Sequence, residues 1–267
     1  MIKLAITGAL GRMGRVVLFL AGKMGEFEIV GAIERKGHPE IGRTLKSLGV
    51  LDLDLPLRDN LEIVIEDCDV VIDFTEPLSA LRHFEIAKAK KKAIVIGTTG
   101  FSDSQMESIL KEKDVRAVIS PNMSIGVNLM FNLVKKVSAV LGKDYDVEII
   151  EIHHRMKKDA PSGTALKLRD MVISGNPEIK WKPLYGRYGM VGEREKEEIG
   201  IMSVRGGDVV GEHTVIFFGQ GERLEITHRA TSRENFARGA LLAAKWIAHK
   251  EEGIYSMEDV LGLSPSA

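Results

Sequence analysis

The chain has 267 residues, 44% of them hydrophobic, with 37 basic against 38 acidic side chains. That is enough apolar material for one large or two modest domains, and the near-zero charge balance gives neither nucleic acid nor an anionic membrane surface a reason to bind. The single cysteine, Cys68, excludes an intrachain disulfide.

From Ile2 to about Asn122 short apolar runs alternate with amphipathic segments. LAIT (4–7) precedes a predicted helix over 12–24, and EIVGAIE (28–34) follows it. Cys68 stands just before the next run and reads as a buried, inert thiol. VVIDFT (70–75) precedes a helix over 78–91, AIVIGTT (93–99) one over 102–113, and RAVIS (116–120) closes the series. Such alternation marks a parallel sheet wrapped by helices, and runs without a polar face mark strands covered on both sides. The lysines between 88 and 92 end a predicted helix, where cations are favoured, so they read as a helix end and not as a nucleic-acid patch.

After Ser124 the rhythm changes. A helix over 127–141, the strand VEIIEI (147–152) and a helix from Gly163 lead into a polar stretch from Asn176 to Glu198, read as a mobile loop. Two or three alternating strands follow, and TVIFFGQGERLEITHRA (214–230) reads as a hairpin that turns at FFGQGER and sets Leu224, Ile226 and His228 on one face. The final helix, 234–250, carries an apolar stripe of Phe236, Ala240, Ala243, Ala244 and Ile247 and is expected to pack on the first domain. The predicted fold is α/β: a Rossmann-like parallel-sheet domain (1–124 and 234–267) plus a smaller α+β domain (125–233) with a mixed or antiparallel sheet. No signal peptide is evident, and the uninterrupted apolar runs are too short to span a bilayer. Cytoplasmic residence is the default expectation. Glutamine occurs only at Gln105 and Gln220 while Lys and Glu abound, a hyperthermophile pattern.

Gly8, Gly11 and Gly14 follow a strand and open a helix, the context in which a glycine turn binds a pyrophosphate at the helix N-terminus. Leu10 stands where the commonest fingerprint has a glycine. Glu34 ends the second strand, where an acid accepts hydrogen bonds from the adenine ribose of NAD, and Arg35 and Lys36 can pair with the extra phosphate of NADP. Use of either cofactor is therefore expected. GTTG (97–100) and SPNM (120–123) end further strands, where ligands of open α/β sheets bind.

EIIEIHHRMKKDAPSGTA (148–165) gathers two histidines, three cations (Arg155, Lys157 and Lys158) and a Ser-Gly-Thr helix start. In an unbroken strand His153 and His154 would face opposite ways, so both serve one site only if the strand ends there. The turn formers of RMKKDAPSG supply such an end. Ser162 is a natural N-cap, presenting the Gly163 and Thr164 amides to a carboxylate, and Lys157 can donate a proton or pair with a second carboxylate. Metal ligation is the other meaning of paired histidines, but adjacent ligands with no cysteine and no HExxH spacing speak against it.

GALGRMG, AIER, DFT, GTTGF, SPNMSIGVN, HHRMKKDAPSGTAL, GDVVGEHTV and ERLEITHRATSRENFARGAL together resemble the 4-hydroxy-tetrahydrodipicolinate (dihydrodipicolinate) reductase family, in that family's order and from residue 4 to about 241. The resemblance implies NAD(P)H-dependent reduction of a cyclic dicarboxylate in lysine and diaminopimelate biosynthesis. It implies His153 as proton donor and acceptor, Lys157 as second donor, and His154, Gly163 and Thr164 as the substrate grip. Cofactor contacts are implied for Gly8, Ala9, Leu10, Gly11, Arg12, Met13, Glu34, Arg35, Gly97, Thr98, Thr99, Ser120, Pro121, Asn122 and Met123, the last standing where the family is expected to carry an aromatic residue. NADH or NADPH is the implied cofactor, and a homotetramer joined through the second domain the implied assembly. Two readings compete: another two-domain NAD(P)-dependent dehydrogenase of amino or hydroxy acids, and a dinucleotide-sensing regulator, which would need a recognition surface such as a basic helix-turn-helix.

Overall fold

A computed structural model describes residues 1–264. In chain order the elements are β1 (Ile2–Thr7), α1 (Arg12–Lys23), β2 (Phe27–Ile33), β3 (Val70–Asp73), α2 (Pro77–Ala89), β4 (Ala93–Ile96), α3 (Asp103–Leu110) and β5 (Arg116–Ile119). Then come α4 (Ile125–Leu141), β6 (Asp146–His153), α5 (Gly163–Gly175), β7 (Lys182–Leu184), β8 (Glu198–Arg205), β9 (Gly211–Phe218) and β10 (Arg223–Ala230). The described chain closes with α6 (Glu234–Ile247), β11 (Gly253–Tyr255) and α7 (Met257–Val260). It divides into two compact units, Met1–Ile125 with Arg233–Ala267, and Gly126–Ser232.

The first unit holds a six-stranded sheet in the order β11-β5-β4-β3-β1-β2, parallel throughout. Its strands are covered on both faces, which is why their sequences show no polar side. Leu4, Ile6, Val70, Ile72 and Val95 pack on one face with Val17 and Leu18 of α1 and Ala240, Leu241 and Ala244 of α6. Ala5, Val71, Ile94 and Ile96 pack on the other with Ala80, Phe84 and Ala87 of α2. The final helix thus returns to the first sheet through the stripe the periodicity marks. Strand order reverses between β1 and β3, so the carboxyl ends of these two strands form the crevice where open α/β sheets take their ligands.

The second unit carries a five-stranded sheet, β10-β9-β6-β8-β7. The hairpin forms as expected: β9 and β10 pair antiparallel, with the Gly219 amide donating to the Glu222 carbonyl across the turn. The sheet is mixed and not wholly antiparallel, because β8 runs parallel to β6 and β7 parallel to β8. The physical reason is the helix between them: α5 gives the chain a crossover that returns it in the same direction. Val127, Phe131 and Val134 of α4 and Leu168 and Val172 of α5 cover the face made by Val147, Ile149, Ile201, Val215 and Phe217.

Two expectations need correction. The 176–198 stretch contains β7 and is tied down beyond it: Arg187 clamps Glu148 at 2.8 and 2.9 Å and reaches Glu198 at 2.9 Å, and Arg194 holds Asp146 at 2.8 Å. The segment Ile125–Asp144 is long and apolar enough to cross a membrane, although Asn128, Asn132, Lys135 and Lys136 break every uninterrupted run. Its stripe of Val127, Met130, Phe131 and Val134 lies in the core of the second unit, and a core helix meets the same length and composition test.

Cys68 is fully buried, its Sγ 3.4 Å from the Ile65 carbonyl, and burial pushes its thiol up to about 12. The thiolate is the reactive species. A thiol-disulfide reagent at pH 8 is therefore expected to label the native protein at least about a hundredfold more slowly than the denatured chain; equal rates would show the thiol to be accessible.

Candidate active site

The turn after β1 is built by close approach. Gly8 has φ +69°, and a Cβ there would lie 2.6 Å from the Phe74 carbonyl, while one on Gly14 would lie 2.1 Å from the Gly8 carbonyl. Gly11 caps α1 without a side chain, which leaves the first-turn amides of Arg12 and Met13 turned toward any anion placed there. Beside this turn opens a cleft of about 600 Å³ lined by Gly8, Gly11, Glu34, Arg35, Lys36 and Thr75 among others. Glu34 takes the Leu10 amide at 3.2 Å and the Arg35 amide at 3.1 Å, so the acid at the strand end also fixes the glycine turn. Arg35 and Lys36 stay exposed at the mouth.

Asp73, the last residue of β3, is fully buried beneath this crevice. It accepts hydrogen bonds from the hydroxyls of Thr7 (2.6 Å), Thr98 (2.6 Å) and Thr75 (2.9 Å) and from the Thr75 amide (3.1 Å), and pairs with Nδ1 of His83 at 2.6 Å. Burial alone would raise its carboxyl, but the His83 bond and charge and the threonine bonds prevail and hold it below the usual range. Thr98 is thereby bound into the same knot as the end of β1. Gly97 to Thr99 and Ser120 to Met123 follow β4 and β5 and are not part of the cleft lining. Ser120 braces its own loop, its hydroxyl donating to the Asn122 carbonyl at 2.8 Å, and Pro121 is exposed. Ala9 and Met123 are buried in the core beside α6, and the Met123 carbonyl lies against Gly239 of that helix. Asp73 and His83 were missed by sequence reasoning, though an aspartate closing the apolar run VVID was a signal.

In the second unit β6 ends at His153, the strand end that the histidine pair required. Alternation puts Glu151 and His153 on the buried face with Val147 and Ile149. His154 lies beyond the strand, its amide held by the Val209 carbonyl at 2.8 Å. Glu151 Oε2 accepts from Arg205 Nη1 at 2.7 Å and stands 2.5 Å from Nδ1 of His153; Oε1 accepts from Arg205 Nη2 at 2.7 Å and from the Ser162 amide at 3.0 Å. Burial works against the charge, but the bonds from His153, Arg205 and Ser203 hold the carboxyl far below its usual range. Ser162 caps α5, its hydroxyl accepting the Ala165 amide at 3.1 Å and lying 2.9 Å from Nε2 of His213. Gly163 and Thr164 form the first turn of α5, where the helix dipole favours an anion. Lys157 stands apart from the buried network, its amine shared between the two oxygens of Asp159 at 2.9 Å each. The sequence reading missed Glu151, Arg205 and His213. Two-residue spacing from His153 could have found the first; the other two come from neighbouring strands, and only the pairing register brings them in.

His213 is driven down to about 3, by burial first and then by the charge of His153. The folded protein keeps it neutral while the unfolded chain protonates it below about 6.5, so its contribution to stability is complete above that pH and is lost as pH falls toward 3. His213→Gln is expected to flatten the fall in unfolding free energy between pH 6.5 and 4, as measured by urea titration; an unchanged slope would place the acid sensitivity elsewhere.

Comparison with known proteins covers both units. The family description "Dihydrodipicolinate reductase, N-terminus" matches residues 2–123 and "Dihydrodipicolinate reductase, C-terminus" residues 126–261. A protein of Trichlorobacter lovleyi named 4-hydroxy-tetrahydrodipicolinate reductase is 49% identical over 266 residues, covering 98% of this chain and 100% of that protein. One of the same name from Syntrophus aciditrophicus is 49% identical over 98% of this chain and 99% of its own length. Among solved structures, a dipicolinate-bound dihydrodipicolinate reductase from Paenisporosarcina sp. TG-14 superposes with a TM-score of 0.74 at 28% identity, covering 97% of this chain and 99% of that one.

Proposed function

The chain belongs to the dihydrodipicolinate reductase family, and we infer that it catalyses the NAD(P)H-dependent reduction of 4-hydroxy-tetrahydrodipicolinate, with loss of water, in lysine and diaminopimelate biosynthesis. The observation that carries this reading is the sharing of one residue by two devices. Ser162, whose amide is bound to the carboxylate that holds His153, also caps the helix whose first turn is suited to an anion. A proton donor and a carboxylate cradle are thus built side by side.

The crevice of the first unit fits a dinucleotide: a Cβ at Gly8 would collide with the Phe74 carbonyl and one at Gly14 with the Gly8 carbonyl, and Glu34 with Arg35 borders the cleft where the adenosine ribose would lie. When bound, the dinucleotide supplies the hydride. Hydride addition to a conjugated imine at the carbon that carried the hydroxyl leaves an enamine-like anion, which must take up a proton. His153 gives it, and Lys157 is the second donor. His154 and the Gly163 and Thr164 amides hold the substrate's carboxylates as charge develops. Glu34 serves NADH through its carboxylate, while Arg35 with Lys36 serves the 2′-phosphate of NADPH, so both cofactors are used.

A homotetramer and a cytoplasmic location belong to the same proposal. Supporting the assembly, the sheet face opposite the core carries Ile150, Ile152, Met202, Val204, Ile216 and Phe218, with Val204 46% exposed and Phe218 36%, more apolar surface than a solvated sheet face ordinarily shows.

His153→Gln and Lys157→Ala are each expected to lower kcat by about two orders of magnitude while leaving dinucleotide binding unchanged in a fluorescence titration. Normal turnover in either variant would refute the assignment. Arg35→Ala is expected to raise KM for NADPH about tenfold, one lost charge-assisted contact, with KM for NADH within about twofold; equal effects would remove the phosphate role. Both are read from reduced-cofactor oxidation with freshly made substrate, and failure of the wild type to oxidise either cofactor would sink the functional reading.

A further inference from the structure

Within the second unit, His153 is gripped more closely than a proton donor on a strand end needs to be. Its Nδ1 lies 2.5 Å from Glu151 Oε2. Its ring meets His213 edge-on, 5.1 Å between centroids at 74°. Its Nε2 lies against Gly211, where even a Cβ would stand only 2.9 Å away. Glu151 is itself held through both oxygens. Arg205 clamps both of its oxygens at 2.7 Å, and the Ser162 amide occupies Oε1 at 3.0 Å. The same guanidinium donates to the Asp159 carbonyl at 2.7 Å, tying in the loop that leads to α5.

We propose that Glu151 is the positioning residue of this site, fixing the tautomer of His153 and the start of α5 together, a role that rests on His153 being the proton donor. A carboxylate only accepts, so Nδ1 must carry the proton in the pair, and the working nitrogen is Nε2. In the neutral ring Nε2 is then a bare acceptor; in the protonated ring it is the acid. The bond to the Ser162 amide sets the residue from which the helix's first turn springs, so donor and cradle keep a fixed separation. Rate is sensitive to that separation, since a displacement of about 1 Å can cost a hundredfold. The charged and titratable groups around His153 are Glu151 on its own strand, Arg205 on β8, His213 on β9 with His228 on β10 behind it, and Lys157 with Asp159 in the following loop.

Glu151→Gln keeps the shape and reverses the logic, because an amide NH₂ can donate to Nδ1 and push the proton to Nε2. In this variant kcat is expected to fall about a hundredfold or more, with KM for the reduced dinucleotide within twofold. The acid–base limb of the pH profile of kcat/KM should move, since the imidazolium loses its anionic partner. A purely structural role would lower the melting temperature and the active fraction but leave that limb in place. Wild-type turnover with an unmoved limb would overturn the proposal. Nitrogen-15 chemical shifts of His153 in the unmodified enzyme give a test independent of the variant's folding: the Nδ1–H form is expected in the neutral ring, and finding Nε2–H would overturn it. Full turnover in His153→Gln would instead mean that the functional reading has failed. An inactive His153→Gln beside a fully active Glu151→Gln would mean that only the positioning role has.

Discussion

A carboxylate can leave water only if hydrogen-bond donors replace the water it gives up, and each unit of this protein is organised around one that does. Asp73 and Glu151 are both fully buried near the carboxyl end of a strand. Each is satisfied by donors drawn from separate elements: Asp73 by the end of β1, the loops after β3 and β4 and the middle of α2, Glu151 by its own strand, β8 and the cap of α5. Loops that carry glycine and small polar residues would otherwise have many conformations open to them. Removing one partner from a buried charge costs about 3–5 kcal/mol, which makes the arrangement close to all-or-none.

The cation proposed to meet the substrate is treated differently. Lys157 is held by Asp159, whose side chain is 59% exposed, and exposed pairs of this kind contribute about 0–1 kcal/mol. Lys157 can therefore exchange Asp159 for a ligand carboxylate at little cost. The site combines a rigid buried frame with a readily exchanged cation, a division suited to a reaction in which charge on the substrate changes while the geometry must not.

The first sheet was legible because its strands are doubly covered and its helices carry 3.6-residue stripes; both patterns are local. So was the end of β6 at His153, since turn formers crowd the next nine positions. Arg205 could not be read from sequence, because it lies 54 residues from Glu151 and reaches it only through a parallel register that α5 makes possible. The polar 176–198 stretch was misread for a related reason: its arginines look solvated until Glu148 and Asp146, on another strand, are placed beneath them. Aspartate at the end of VVID was open to reading, and so was glutamate two places before His153. Both break an apolar face, and a charge on such a face must have partners.

The order in which the polypeptide leaves the ribosome bears on one feature of the fold. The second unit, Gly126–Ser232, is continuous, whereas the first needs residues from both sides of it. Ala240, Leu241, Ala244, Ile247 and Met257 fill the same core as Leu4, Ile6 and Leu18, and β11 completes the sheet edge beyond β5. During synthesis the nascent sheet therefore waits, with one face bare and one edge unpaired, while more than a hundred residues are added. The inserted unit can finish folding first, and nascent chains of this protein should be most in need of chaperone cover while that bare face is exposed.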